Sequence, residues 1–263
     1  MKTKILTIIM SLSMVFSCDA QTYKKNYEKL SILDKSLLLN NIQNKIGQGM
    51  SLSVVKGNID ELNNIAAGLD SIYKKHNEDI ILYWLAYTEY YKSISELQFK
   101  NKKQSENHIR KGIEFINSIK KKNSDDYALL GLMQSFLMQF ENESTIPTLF
   151  QKILITSDHA IYANKNNPRA YYFKGSFNYY VPKQYGGGTQ VENNLIKSIR
   201  LSEINPNNSY LPTWGKEDAY AMLIEYYIDK DNMDNAMDLY MEASSKYPNN
   251  YQISMLAKKL IRK

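Results

Sequence analysis

Eight positions between Tyr220 and Pro248 constrain this chain more than any other part of its sequence. With Glu217 counted as position 1 of a 34-residue unit, Tyr220, Leu223 and Tyr227 stand at positions 4, 7 and 11. Ala236, Tyr240, Ala243 and Pro248 stand at 20, 24, 27 and 32, and only position 8, Ile224, departs from the small residue expected there. Positions 4, 7, 8 and 11 share one face of a first helix, and 20, 24 and 27 one face of a second, so the two helices bury a common apolar seam. Small Ala236 and Ala243 let the helices close, Tyr240 fills the space between them, and Pro248 ends the second helix or opens the next. One such pair cannot cover its own apolar face, so neighbouring pairs are required.

Weaker copies of the pattern lie upstream. With Pro168 as position 1, Tyr171 falls at 4 and Gly175 at 8, and Asn167 is placed to cap the helix. Leu195 and Ser198 then match positions 24 and 27 only if the segment Pro182 to Gly188 adds about four residues to the turn between the helices. Tyr127, Leu130 and Gly131 repeat positions 4, 7 and 8, followed by an inserted loop around Thr145-Ile146-Pro147 and a second helix from Ile153 through Ala160. Ile81 to Tyr91 with Ser105 to Ile119 gives an earlier pair, and Leu37 to Val55 with Ile59 to Tyr73 another. This is the periodicity of tetratricopeptide repeats. The expected fold is all-α, an α-solenoid of about five degenerate helix pairs plus a terminal helix near Asn250 to Ile261.

Asn167-Pro168-Arg169-Ala170, Gly175, Pro182, Gly186-Gly187-Gly188 and Pro212-Thr213-Trp214-Gly215, followed by the repeat ending at Pro248, resemble a family of tetratricopeptide-repeat proteins exported by Gram-negative bacteria. The specific motifs cover roughly the C-terminal 100 residues; the rest matches only in helical layout. The resemblance implies an exported, all-helical protein without assigned activity, and transfers no catalytic residue.

Lys2 and Lys4 precede an apolar run from Ile5 to Phe16, too short for a membrane span and suited to a signal-peptide core. Residues 1–20 are therefore read as a signal segment and 21–263 as the helical-repeat domain. Two processing routes are open. Val15-Phe16-Ser17-Cys18 is a loose lipobox that would make Cys18 the lipidated first residue, whereas Cys18-Asp19-Ala20 offers small residues for ordinary cleavage before Gln21. Cys18 is the only cysteine, and its position favours the lipoprotein route and a periplasmic or outer-membrane location.

Cleavage before Cys18 removes Lys2 and Lys4 and leaves 31 basic against 27 acidic residues, a net charge of +4. That charge is too small and dispersed for a nucleic-acid surface. His76, His108 and His159 are isolated, with no ligand spacing for a metal, and adjacent Asp158 and His159 point about 100° apart on a helix. Paired acids such as Asp125-Asp126 suit helix starts. The run Gly186-Gly187-Gly188 lacks both a following Lys-Ser or Lys-Thr and a preceding strand, so it suits a tight turn better than a phosphate loop. No enzyme activity, cofactor or metal is expected.

In arrays of this kind the first helix of each pair lines a groove through positions 2, 5, 9, 12 and 13. From Pro168 these include Arg169, Tyr172 and Tyr179; from Glu217, Asp218 and Glu225; and from Asp79, Tyr83, Tyr87 and Tyr90. Tyrosine gives large amphipathic contact at low entropy cost, although some of these rings could serve helix packing instead. Two functions remain. One is a non-enzymatic cell-envelope scaffold holding a protein or peptide partner in the groove. The other is a ligand-binding accessory of a periplasmic solute transporter.

Overall fold

The computed structural model describes residues 35–201 and 208–261, so the segment 1–20 and Cys18 lie outside the described residues. Among the described residues there are twelve α-helices and no strand. They are α1 (Lys35–Leu39), α2 (Ile42–Lys56), α3 (Asp60–His76), α4 (Asp79–Gln98), α5 (Lys102–Ser118), α6 (Ser124–Leu137), α7 (Ile146–Ala163), α8 (Pro168–Tyr180), α9 (Val191–Leu201), α10 (Lys216–Asp229), α11 (Met233–Lys246) and α12 (Tyr251–Ile261). The fold is all-α, an α-solenoid built of tetratricopeptide-type pairs: α2/α3, α4/α5, α6/α7, α8/α9 and α10/α11, followed by α12.

Two boundaries differ from the sequence expectation. The helix expected from Leu37 is broken at Asn41, whose left-handed φ of 54° separates α1 from α2. Ile146 and Pro147 belong to a helix, not a loop. Pro147 sits in the first turn of α7, where a missing N–H costs nothing, and Asn142 Oδ1 ends the preceding loop by accepting the amides of Ser144 and Thr145.

The helices divide into two compact units, 35–122 with 208–212, and 123–201 with 213–261. In the first, α4 is buried on nearly every side by α2, α3 and α5. Pairing of α4 with α5 is antiparallel, since Ser93 meets Ser105 through reciprocal hydroxyl-to-carbonyl bonds of 2.6 and 2.7 Å while Glu89 meets His108. Trp84 Nε1 donates to the Tyr210 carbonyl at 2.9 Å, which fixes 208–212 to this unit. The first pair contains small positions that the sequence reading passed over. An added Cβ on Gly49 would lie 3.1 Å from Leu62, and one on Gly68 3.2 Å from Leu38.

In the second unit the first helices of successive pairs, α6, α8, α10 and finally α12, lie side by side, with α7, α9 and α11 behind them. Gly131 and Gly175 stand where a small residue lets helices approach: an added Cβ would lie 2.2 Å from Phe173 and 2.8 Å from Leu195. Ile224 fills the corresponding place in α10 and is wholly buried; its partner helix α11 supplies Ala236 and Ala243, also wholly buried. Asparagines start several of these helices. Asn123 accepts the amides of Asp125 and Asp126, Asn167 that of Arg169, and Asn250 that of Ile253.

Candidate functional site

Groove positions of α6, α8, α10 and α12 are joined across helices in the second unit. Arg169 Nε on α8 reaches Asp125 Oδ1 on α6 at 2.6 Å, and Asn167 Nδ2 donates to the same oxygen at 2.6 Å. Tyr179 on α8 donates to Asp229 Oδ2 on α10 at 2.6 Å. Glu225 on α10 forms an ion pair with Lys259 on α12. These links join equal or adjacent positions of neighbouring first helices, which fall at matching heights although the paired residues are 44, 50 and 34 apart in sequence.

Aromatic rings fill the face between those polar links. Tyr172 meets Trp214 edge to face at a centroid distance of 6.1 Å, and Tyr179 meets Tyr180 and Tyr226 at 4.9 and 6.4 Å. Gly215, at a φ of 93°, turns the chain into α10, and a Cβ there would touch Tyr172 and Arg169. Burial, aided by the hydrogen bond to Asp229, pushes the Tyr179 hydroxyl far above its usual range. Burial together with Glu225 and Asp229 does the same for Tyr180. Both phenols are therefore neutral donors or acceptors at any physiological pH.

Asp218 is a helix cap before it is a groove residue. Its Oδ2 accepts the Gly215 N–H at 3.2 Å. Burial beside Glu217 raises its carboxyl to about 6, against two backbone hydrogen bonds that act the other way. Tyr83, Tyr87 and Tyr90 require a correction: they are 1 %, 4 % and 9 % exposed and belong to the interior. The reason is the enclosure of α4, whose tyrosines pack on one another and on Trp84, with Tyr83 and Tyr87 rings 5.0 and 5.4 Å from the indole. Their groove numbering is right for an open array and fails where other helices cover the face.

The glycine run is a closed turn. Gly186, Gly187 and Gly188 donate their amides to Lys183, Pro182 and Asn178 carbonyls, leaving none aimed at an anion. A Cβ on Gly187 would lie 1.6 Å from the Val181 carbonyl oxygen, and Asn178 pins the turn by donating to Gly186 O and accepting from Gln190 N.

A buried ionic cluster in the first unit escaped the sequence reading. Glu89 of α4 is 0 % exposed and accepts from His108 Nδ1 at 2.5 Å, Lys111 Nζ at 3.0 Å and Lys92 Nζ at 3.1 Å. Burial alone would raise its carboxyl; the His108 hydrogen bond, with Lys92 and Lys111, overcomes this and holds it down at about 2. The one available signal was an acid on the otherwise apolar face of α4. No group of three or more metal-ligating side chains occurs among the described residues, and no described helix is long and apolar enough to cross a membrane.

A cleft of about 470 Å³ opens on the other side of the second unit, between α9 and α11 over α10. Ile196, Ile199, Leu223 and Leu239 make its apolar walls, and Tyr220 and Tyr227 contribute their rings. Each phenol is tied to a carboxylate, Tyr220 to Glu242 at 2.6 Å and Tyr227 to Glu192 at 2.8 Å. Burial first, and those carboxylates second, raise both hydroxyls to about 12.

Consecutive helix pairs, whose first helices lie side by side along one face in the second unit, define a helical-repeat protein of the tetratricopeptide type. Two solved structures share that fold. One is TTC0263, a thermophilic tetratricopeptide protein of Thermus thermophilus, with a TM-score of 0.57 and 16% identity over 83% of this chain and 98% of that one. The other is the HusA haemophore of Porphyromonas gingivalis, with a TM-score of 0.53 and 19% identity over 75% of this chain and 96% of that one. At such identities the likeness is one of fold. No protein-family model matches the sequence, and no curated protein is detectably similar to it.

Proposed function

We propose that this is a non-enzymatic interaction protein of the cell envelope, which holds an extended segment of a partner protein along the face of α6, α8, α10 and α12. The alignment of Arg169, Tyr172, Tyr179 and Glu225 across those helices carries the proposal. Polar groups spaced along aligned helices suit a peptide backbone, and tyrosine rings give it apolar contact without a large ordering cost. Export rests on the apolar run after Lys4 and on Cys18.

The test is capture of a partner from envelope extracts by the intact protein, compared with a Tyr172→Ala, Tyr179→Ala variant. Each ring lost from a true anchor should cost about 1 to 2 kcal/mol of binding, roughly tenfold in affinity, while the helical content is kept. Equal capture by both proteins would remove this face from consideration.

The cleft between α9 and α11 favours a second reading, a ligand-binding accessory of solute uptake. Its volume is of small-molecule size, and one fold neighbour is a haemophore. A thermal-shift panel of small solutes, haem among them, tests this reading. A protein that captures a partner but is stabilised by no solute is the scaffold; the reverse outcome selects the accessory.

A further inference from the structure

We propose that the cleft between α9 and α11 binds a short zwitterionic peptide with aliphatic side chains, its carboxylate at Arg200 and its ammonium at Asp238. This rests on the small-ligand reading and gives it a chemical class.

The first support is an unsatisfied pair of opposite charges. Arg200 and Asp238 both line the cleft, both are exposed, and among the described residues neither forms an ion pair. Other charged groups in this region are already matched: Glu242 accepts from Tyr220 and from Lys246 Nζ at 2.9 Å, and Glu192 from Tyr227. A cation and an anion left free on the two banks of one cleft suit a ligand that carries both charges.

The second support is the direction of the hydrogen bonds. Tyr220 and Tyr227 have committed their protons to Glu242 and Glu192, and Lys246 Nζ donates to the Tyr220 oxygen at 3.1 Å, so neither phenol can donate to a ligand and Tyr227 offers it lone pairs. Arg200, the single cation of the lining, and the amide of Asn235 are its side-chain donors, set against the acceptors of Asp238, Glu242 and Tyr227. A ligand rich in N–H groups with one carboxylate fits that balance. A dianion such as a porphyrin bearing two propionates does not, because its second carboxylate would face Asp238 or Glu242. The third support is the wall of Ile196, Ile199, Leu223 and Leu239, which matches aliphatic side chains in a volume with room for more than one residue.

Isothermal titration of the intact protein with the dipeptide Leu-Leu, its Nα-acetyl derivative and its C-terminal amide tests the assignment. Leu-Leu should bind saturably, and either blocked form should bind at least tenfold more weakly. Arg200→Gln should erase the preference for free acid over amide, and Asp238→Asn the preference for free amine over acetyl. Both side chains are exposed, so folding should survive, and circular dichroism confirms it. Equal binding of all three peptides, insensitivity to both substitutions, or no saturable binding of Leu-Leu would each overturn the proposal. In the last case, stabilisation by another solute of the panel leaves the ligand-binding reading standing, whereas no stabilisation at all removes both.

Discussion

Gly131 of α6 and Phe173 of α8 interlock so closely that one methyl group on the glycine would lie 2.2 Å from the aromatic ring. Phe173 is wholly buried, so moving its ring aside disturbs the packing of the core. The junction of two successive first helices thus depends on a missing side chain. Gly131→Ala should destabilise the protein by about 1 to 3 kcal/mol despite alanine's better helix propensity, because overpacking outweighs it. Urea unfolding measures the loss, and Phe173→Leu in the same chain should recover part of it. A stabilised Gly131→Ala protein would refute the interlock.

Among the described residues, Glu89 is the only acid facing the buried ammonium of Lys92 within the cluster of α4 and α5. Glu89→Gln should therefore cost about 3 to 5 kcal/mol, since it strands a buried cation. The pH dependence has a definite sign. The folded carboxyl titrates at about 2, below its ordinary 4.5, so its contribution is complete above pH 4.5 and is lost as pH falls from there toward 2. Stability of the native protein should decline over that window more steeply than stability of the Gln variant.

Asp218 predicts the opposite slope. Its folded carboxyl is raised to about 6 from 3.8, so its contribution is most favourable below pH 3.8 and is lost as pH rises through 6. Asp218→Asn keeps an acceptor for the Gly215 N–H while removing the buried charge. The variant should gain on the order of 1 kcal/mol at pH 8 relative to its effect at pH 5. Thermal melts at the two pH values check it, and a larger gain at pH 5 would contradict the assignment.

Cys18 provides a test of location. On the lipoprotein route the mature chain incorporates a labelled fatty acid and partitions into membrane fractions, and Cys18→Ser abolishes the label. Mass spectrometry finding an unmodified N-terminus at Gln21 would decide for ordinary secretion.

Local chemistry made much of this protein legible in its sequence. The 34-residue spacing from Tyr220 to Pro248, Gly175 at position 8 and the cap Asn167 each act within one or two helices, where side-chain period and backbone hydrogen bonding dictate the outcome. Five pairs and a final helix could be counted on that basis. What fills each face was decided elsewhere. Tyr83 and Tyr172 hold the same position in their respective repeats, yet enclosure of α4 sends the first into the core, while the second meets Trp214 beside the turn at Gly215. Glu89 and His108 are 19 residues apart, and Arg200 and Asp238 lie on different helices, so neither relationship leaves a periodic trace. Burial and pairing of charges depend on which helices pack together, and that is a property of the assembled chain rather than of any single repeat.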